Sequence, residues 1–296
     1  MKTPGIPYFP KRRADRLLAL ALAMLAPLAL AFVLVHIVWG IVVAGLMFPL
    51  LPARACNALV RFWSRILLVA LGIRLELGPG ADAEGARLAR GLPGALLLMN
   101  HVSWADIFVV AAVVPARFVA KSEIGSWPLA GWLARTVNTV FIERGRRHAV
   151  AHVNRVVADR LRAGQSIGIF PEGTTTDGRQ LLRFHANLVQ SALLAEAPVI
   201  PVALQYWQDQ APSLAAAFIG EMTLVESMLR ILIAPRLRVR LQFLAPVACQ
   251  GISRQAIAEE ARRAISRALA LPEHDLPEAV PAEIELDALE SPLPRG

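Results

Sequence analysis

The sequence predicts an α/β domain, a mixed and largely parallel sheet covered by helices, preceded by an N-terminal membrane-inserting helical anchor. Three observations predict it. Residues Leu17 to Ala53 contain no Asp, Glu, Lys or Arg, a run longer than the roughly 20 apolar residues that cross a bilayer core. After Gly72, short apolar runs alternate with amphipathic helical patterns, the order that builds a parallel or mixed sheet with helices packed on it. From Pro272 the chain is acidic and proline-rich without periodicity, the composition of a disordered tail. The expected organisation is an anchor with an interfacial helix over residues 1–71, a domain over 72–271, and an acidic tail over 272–296.

The anchor is too long for a secretory signal core, and no small-residue cleavage site follows it cleanly. Its flanks are both basic: Lys2, Lys11, Arg12, Arg13 and Arg16 before, Arg54, Arg61 and Arg65 after. Lys and Arg favour the cytoplasmic side, which would suit a hairpin broken near Pro27 or Gly40. A single tilted span is the other arrangement. Residues Arg54 to Leu71 then alternate arginines with Leu59, Phe62, Trp63 and Leu67. That pattern fits an interfacial helix or, equally, an amphipathic helix packed on the domain.

Strands are expected at Ile73–Leu77, Ala95–Met99, Arg117–Ala120, Thr139–Ile142, Ser166–Phe170, Ile200–Gln205 and Leu237–Phe243. Helices are expected at Ala149–Arg162, closed by Gly164, and at Asn187–Leu194, Thr223–Ile233 and Arg254–Ala270. Composition narrows the partners. Hydrophobic residues make up 55% of the chain, which points toward lipid. The tail from Glu273 holds seven acidic residues against Arg295 alone, which leaves it near −6 and, from an overall +8, the preceding 272 residues near +14. So basic a body suits anionic headgroups or an anionic substrate. Nucleic acid is the poorer partner, because there is no zinc-finger spacing and no separate basic helix. Cys56 and Cys249 give no disulfide framework.

Two segments carry candidate chemistry. In Asn100-His101-Val102-Ser103-Trp104-Ala105-Asp106 a strand ends and an apolar helix begins, the kind of strand-end turn where open α/β sheets bind ligands. A neutral His can take a proton from an attacking hydroxyl, while a carboxylate on its other nitrogen fixes the tautomer and stabilises the imidazolium. On one helix, residues five apart lie about 140° apart. His101 must therefore precede the helix that carries Asp106 if the two are to meet. Read alone, the segment equally fits an Asp106 turn cap beside an ordinary loop histidine. The second segment, Phe170-Pro171-Glu172-Gly173-Thr174-Thr175-Thr176-Asp177-Gly178, breaks from a strand into a hydroxyl-rich turn that could bind a polyhydroxyl or phosphate group. It lacks the Gly-Lys-Ser/Thr ending of a P-loop, and a plain connection fits it equally well.

Together, Asn100-His101-x-Ser103-x-x-Asp106 and Phe170-Pro171-Glu172-Gly173-Thr174 resemble the glycerolipid acyltransferases of the lysophosphatidic acid acyltransferase type (1-acyl-sn-glycerol-3-phosphate acyltransferases). Intermediate blocks fall in the same order: Phe118-Val119-Ala120-Lys121-Ser122-Glu123, Val140-Phe141-Ile142-Glu143-Arg144-Gly145 and Val199-Ile200-Pro201-Val202-Ala203. The resemblance spans Leu77 to Tyr206. It implies His101 as general base, Asp106 as its orienting partner, and Arg144 with Lys121 on the acceptor headgroup. Glu172, Gly173 and Thr174 would shape the acceptor site. The donor implied is an acyl thioester on coenzyme A or acyl carrier protein, with no cofactor, no metal and no covalent acyl-enzyme. The product expected from 1-acyl-glycerol-3-phosphate is phosphatidic acid, made at the cytoplasmic face of the cell inner membrane. One position departs from the family: its third motif often continues with Arg, where this chain has Thr175. Either Arg183-Phe184-His185 supplies a replacement charge or the acceptor is another lysolipid, lyso-ornithine lipid being the alternative.

Rival readings are weaker. Gly164-Gln165-Ser166-Ile167-Gly168 matches the G-x-S-x-G nucleophile pattern but lies between a helix and a strand, the reverse of the order that motif requires. His148 and His152 have a zinc-ligand spacing, yet Ala149 stands where a zinc protease needs Glu. A non-catalytic lipid-binding module would be expected to have lost His101 or Asp106, and both are present.

Overall fold

The longest apolar stretch forms α1 (Arg13–Met47), a helix of 35 residues that at 1.5 Å per residue is about 52 Å long. The structure, a computed structural model, describes residues 13–78, 94–126, 132, 139–142 and 147–271. The tail over 272–296 lies outside them. Neither Pro27 nor Gly40 breaks α1. The chain turns instead at the 3₁₀ segment Phe48–Leu50 and enters α2 (Ala53–Ala70). Pro49 lies within that corner and Pro52 caps the start of α2, where a missing N–H and a fixed φ favour a stop and a fresh helix start.

Among the described residues α1 is the one helix long and apolar enough to cross a membrane. It docks by a narrow stripe. Ala26 and Val33 are buried, with Ala29, Leu30 and Ile37 packed beside them, a helical repeat on one face. Leu28, Phe32, Val35 and Trp39 are more than half exposed. An apolar surface of this kind fits lipid better than water and points to membrane association.

The hairpin closes through a reciprocal pair. Trp63 Nε1 donates to the His36 carbonyl at 3.1 Å, and His36 Nε2 donates to the Trp63 carbonyl at 3.1 Å. The rings stack with centroids 4.9 Å apart. Gly40 makes room, since a Cβ there would stand 2.3 Å from Trp63 Nε1. Helix α2 faces the other way as well: Leu67, Leu68 and Leu71 belong to the core that the sheet builds. Helix α2 thus packs on α1 and on the sheet's core at once.

The strands are β1 (Arg74–Leu77), β2 (Leu96–Met99), β3 (Arg117–Lys121), β4 (Val140–Ile142), β5 (Ile167–Ile169), β6 (Val199–Gln208), β7 (Ala211–Pro212) and β8 (Arg238–Phe243). Their order is β1-β8-β6-β2-β5-β3-β4, with β7 paired to β6. All pairs along that path are parallel except β6 with β8, giving the expected mixed, mostly parallel sheet. The further helices are α3 (Asp106–Ala111), α4 (Ser122–Gly125), α5 (Arg147–Arg162), α6 (Gln190–Ala195), α7 (Leu224–Leu232) and α8 (Arg254–Ala268). Predicted elements agree to within a few residues at their ends. The short β7 and α4 carry too few residues to show a period, and the helix expected at 187–194 is a 3₁₀ turn running into α6.

Helices cover both faces, so central strands are apolar throughout. Leu97 and Met99 of β2 face the core under α2, α3 and α7, while Leu96 and Leu98 face the core under α5, α6 and α8. Pro201 sits within β6, yet the β6–β8 ladder begins only at Val202 with Phe243. Its missing N–H thus falls just past the end of that ladder. The strand ends β2, β5 and β6 leave the sheet on one edge, and the candidate site lies there.

Gly40→Leu is expected to lower the thermal stability of detergent-solubilised protein. Overpacking costs about 1–3 kcal/mol, against a helix-propensity gain of about 1 kcal/mol. An unchanged unfolding midpoint would contradict the close α1–α2 contact.

Candidate active site

Where β2 leaves the sheet, side chains take over the ladder. Asn100 Nδ2 donates to the Leu204 carbonyl at 2.9 Å, and its Oδ1 accepts from Leu204 N–H at 2.8 Å. This extends β2 against β6 by one residue and aims the chain into a non-helical turn over residues 101–105. Asp106 is the first residue of α3. His101 therefore stands ahead of the helix, and the five-residue separation closes: Asp106 Oδ2 accepts from His101 Nδ1 at 3.0 Å.

Asp106 is fully buried. Its Oδ2 also accepts from the backbone N–H of Val102 at 2.8 Å and of Ser103 at 2.9 Å. Its Oδ1 accepts from the Tyr206 hydroxyl at 2.7 Å. All four contacts are donors, matching a group that only accepts. With Nδ1 committed as a donor, the unprotonated ring nitrogen of neutral His101 is Nε2. The His101 side chain keeps 18% of its surface exposed, and one ring face stacks on Phe170 with centroids 3.9 Å apart. A partly open imidazole with a free acceptor nitrogen and a fixed tautomer is equipped to take a proton from a bound hydroxyl.

The second segment braces the first. Glu172, 4% exposed, follows β5. Its Oε1 accepts from His101 N–H at 2.8 Å and its Oε2 from Leu182 N–H at 3.0 Å. Both oxygens are thus engaged by backbone, so Glu172 shapes the site by fixing where His101 sits. Burial is the main influence on this carboxyl and pushes its pKa up to about 7, against the two backbone donors, while the neighbouring Asp106 charge pushes in the same direction as burial. Gly173 adopts φ +73°, a left-handed turn that glycine takes without strain. Thr174 is exposed on the loop. Thr176 N–H donates to the His101 carbonyl at 2.8 Å, tying the two turns together again. Thr175, at the position where the family often has Arg, donates its hydroxyl to the Phe218 carbonyl.

The remaining expected residues are placed less fully. Lys121 ends β3, in register with Ile142. Arg144 lies outside the described residues. Arg183 is exposed and precedes the 3₁₀ turn rather than starting a helix. Ser166 is buried and accepts from Ala95 N–H at 3.4 Å, between a helix and a strand. Among the described residues no His, Cys, Asp or Glu cluster could hold a metal.

Sequence reasoning missed Tyr206, Asn100 and Phe170 as site residues. Tyr206 is 2% exposed, and burial, then the Asp106 charge, push its phenol well above the usual range. The expected strand stopped one residue before it. Only the alternation Ile200, Val202, Leu204, Tyr206 on one face hinted that it points to the core beneath the turn.

A family model described as Acyltransferase matches residues 83–205, and the chain belongs to that family. It is 38% identical over 211 residues to a lyso-ornithine lipid O-acyltransferase of Pseudomonas aeruginosa, an alignment covering 71% of this chain and 78% of that one. It is 36% identical over 207 residues to a 1-acyl-sn-glycerol-3-phosphate acyltransferase of Neisseria meningitidis serogroup B, covering 70% and 78%. The fold matches the crystal structure of a 1-acyl-sn-glycerophosphate acyltransferase from Thermotoga maritima with a TM-score of 0.52 at 21% identity, over 88% of this chain and 98% of that one.

The Glu172 carboxyl has a testable consequence for stability. Its pKa is higher in the folded protein, about 7, than in the unfolded chain, so the folded state binds its proton more tightly. The resulting stabilisation is complete below the unfolded pKa and is lost as pH rises through about 7, on the order of 3 kcal/mol in all. Thermal midpoints measured from pH 5 to 8 should fall more steeply for the natural protein than for Glu172→Gln. Parallel slopes would contradict the assignment.

Proposed function

We propose that the protein transfers an acyl chain from an acyl thioester to the free hydroxyl of a lysolipid, with His101 as general base and Asp106 as its partner. The carrying observation is the 3.0 Å contact between His101 Nδ1 and a fully buried Asp106, at a strand-end turn that leaves the imidazole partly open. His101 Nε2 takes the proton as the acceptor oxygen attacks the thioester carbonyl. The C–O bond forms, the C–S bond breaks, and the imidazolium returns the proton to the departing thiolate. Asp106 stabilises the imidazolium while it exists. The donor is an acyl thioester of coenzyme A or acyl carrier protein, and the route needs no metal and no acyl-enzyme. The stacked Phe170 holds the ring in the plane that both contacts require. The chain works at the inner membrane with this edge of the sheet on the cytoplasmic side, a reading supported by the apolar face of α1 and its basic flanks.

His101→Ala should lower acyl transfer by about 10²–10⁴-fold, the usual scale of general-base catalysis, with folding and membrane fractionation unchanged. Asp106→Asn should lose at least about 100-fold, because a carboxamide does not hold the tautomer. Near-normal turnover by the His101 variant would refute the mechanism.

For the acceptor we take 1-acyl-glycerol-3-phosphate, giving phosphatidic acid, with Arg144 and then Lys121 meeting the phosphate. The strongly basic body and the relative in Neisseria meningitidis support this reading. A specific observation favours a second acceptor, lyso-ornithine lipid: Thr175 replaces an arginine and spends its hydroxyl on the Phe218 carbonyl. The relative in Pseudomonas aeruginosa bears that name. Offering both acceptors to the purified enzyme with one thioester decides between them. With the phosphate acceptor, Thr175→Arg should raise activity or leave it unchanged, and Arg144→Ala should weaken acceptor use with the thioester KM intact. With the ornithine acceptor, the added cation should lower activity by repelling its ammonium. Transfer to the ornithine acceptor alone would overturn the first choice.

A further inference from the structure

We infer that Tyr206 is a positioning residue for acyl transfer: from β6, its hydroxyl holds Asp106 Oδ1 and thereby sets both the orientation and the basicity of His101. This rests on the assignment of His101 as general base. Three of the four donors to Asp106 come from the same turn, namely Val102, Ser103 and His101, and all converge on Oδ2. They would move with the turn. The contact to Oδ1 comes from the sheet itself, at 2.7 Å, a normal length for a hydroxyl bonded to a carboxylate. It is the tie that registers the carboxylate against a rigid strand, beside the Asn100–Leu204 pair that registers the start of the turn.

Tyr206 cannot act by touching substrate, because it is 2% exposed and Asp106 beneath the turn is fully buried. Its effect on His101 has a sign. A phenol bonded to Oδ1 draws negative charge from the carboxylate and weakens its hold on the imidazolium. Removing the hydroxyl leaves a buried carboxylate oxygen without its donor and makes His101 more basic. The titratable groups that the described elements bring against the pair are Glu172 from the turn after β5, bonded to His101 N–H, and Tyr206 from β6. Glu172 also feels the Asp106 charge, so the pH profiles are compared in a Glu172→Gln background as well, where its titration is absent.

The test uses the full-length enzyme in detergent micelles. For Tyr206→Phe, kcat should fall about 10- to 100-fold, the scale of one hydrogen bond to a charged group. KM for both substrates should stay within about two-fold, since a buried side chain contributes no substrate contact. The acidic limb of the kcat–pH profile should move up. A second protein preserves the shape of the site. The chain has two tyrosines, Tyr8 and Tyr206, so a Tyr8→Phe chain made with 3-fluorotyrosine carries the label at 206 alone. Its more acidic phenol is the stronger donor, and the acidic limb should move down. Acidic limbs that stay in place in both proteins, while His101→Ala is inactive, would overturn the role of Tyr206 and leave the base intact. Should Tyr206→Phe not fold, the fluorinated protein decides alone. Full transfer by His101→Ala would overturn the base and this inference together.

Discussion

Asp106 has no exposed surface, and a carboxylate in that position must find every hydrogen-bond donor inside the protein. Most of the local architecture answers that demand. The turn over residues 101–105 curls so that two backbone N–H groups and one imidazole reach Oδ2, and β6 runs far enough past β2 to bring a phenol to Oδ1. Remove the carboxylate and those donors lose their common partner. The geometry of His101 is thus a by-product of solving a burial problem, which is why it can be rigid without being enclosed.

The site is assembled from segments distant in sequence, and the order of the sheet explains how. Neighbouring parallel strands β6, β2 and β5 end on one edge, so the residues just after them converge. His101 follows β2, Glu172 follows β5, and Tyr206 lies near the end of β6. Glu172 binds the His101 backbone where many loop residues would bind only each other. Each strand thereby contributes one fixed point, and three such points define the position of the imidazole.

Local signals in the sequence carried part of this. The apolar runs and their helical partners located the sheet, because strands buried on both faces read as unbroken hydrophobic blocks. The five-residue separation of His101 and Asp106 already required a turn followed by a helix. What stayed hidden depends on register. That Asn100 meets Leu204, or that Tyr206 reaches Asp106, follows only when β2 is laid beside β6 with Met99 opposite Val202. The corner of the hairpin escaped for a related reason. Pro27 and Gly40 look like breaks in isolation, but a proline is tolerated within α1 and Gly40 is the seat of Trp63. That both oxygens of Glu172 accept from backbone, at His101 and Leu182, follows likewise from how the turn after β5 lies against the turn after β2.

Trp104, in the middle of the turn, donates its indole N–H to Ser227 of α7 at 3.0 Å. Helix α7 packs in turn on α1, the helix whose outer face is apolar. A continuous run of contacts therefore joins that apolar surface to the turn that carries the imidazole. The distance from that apolar face to the imidazole is thereby a property of the folded chain, like the draught of a hull. On the function proposed above, a lysolipid's free hydroxyl, only a few bonds from its headgroup, would meet the imidazole at that fixed distance while the acyl tail remains among its neighbours. Extraction of the acceptor into water, with the loss of tail burial it entails, would then be unnecessary.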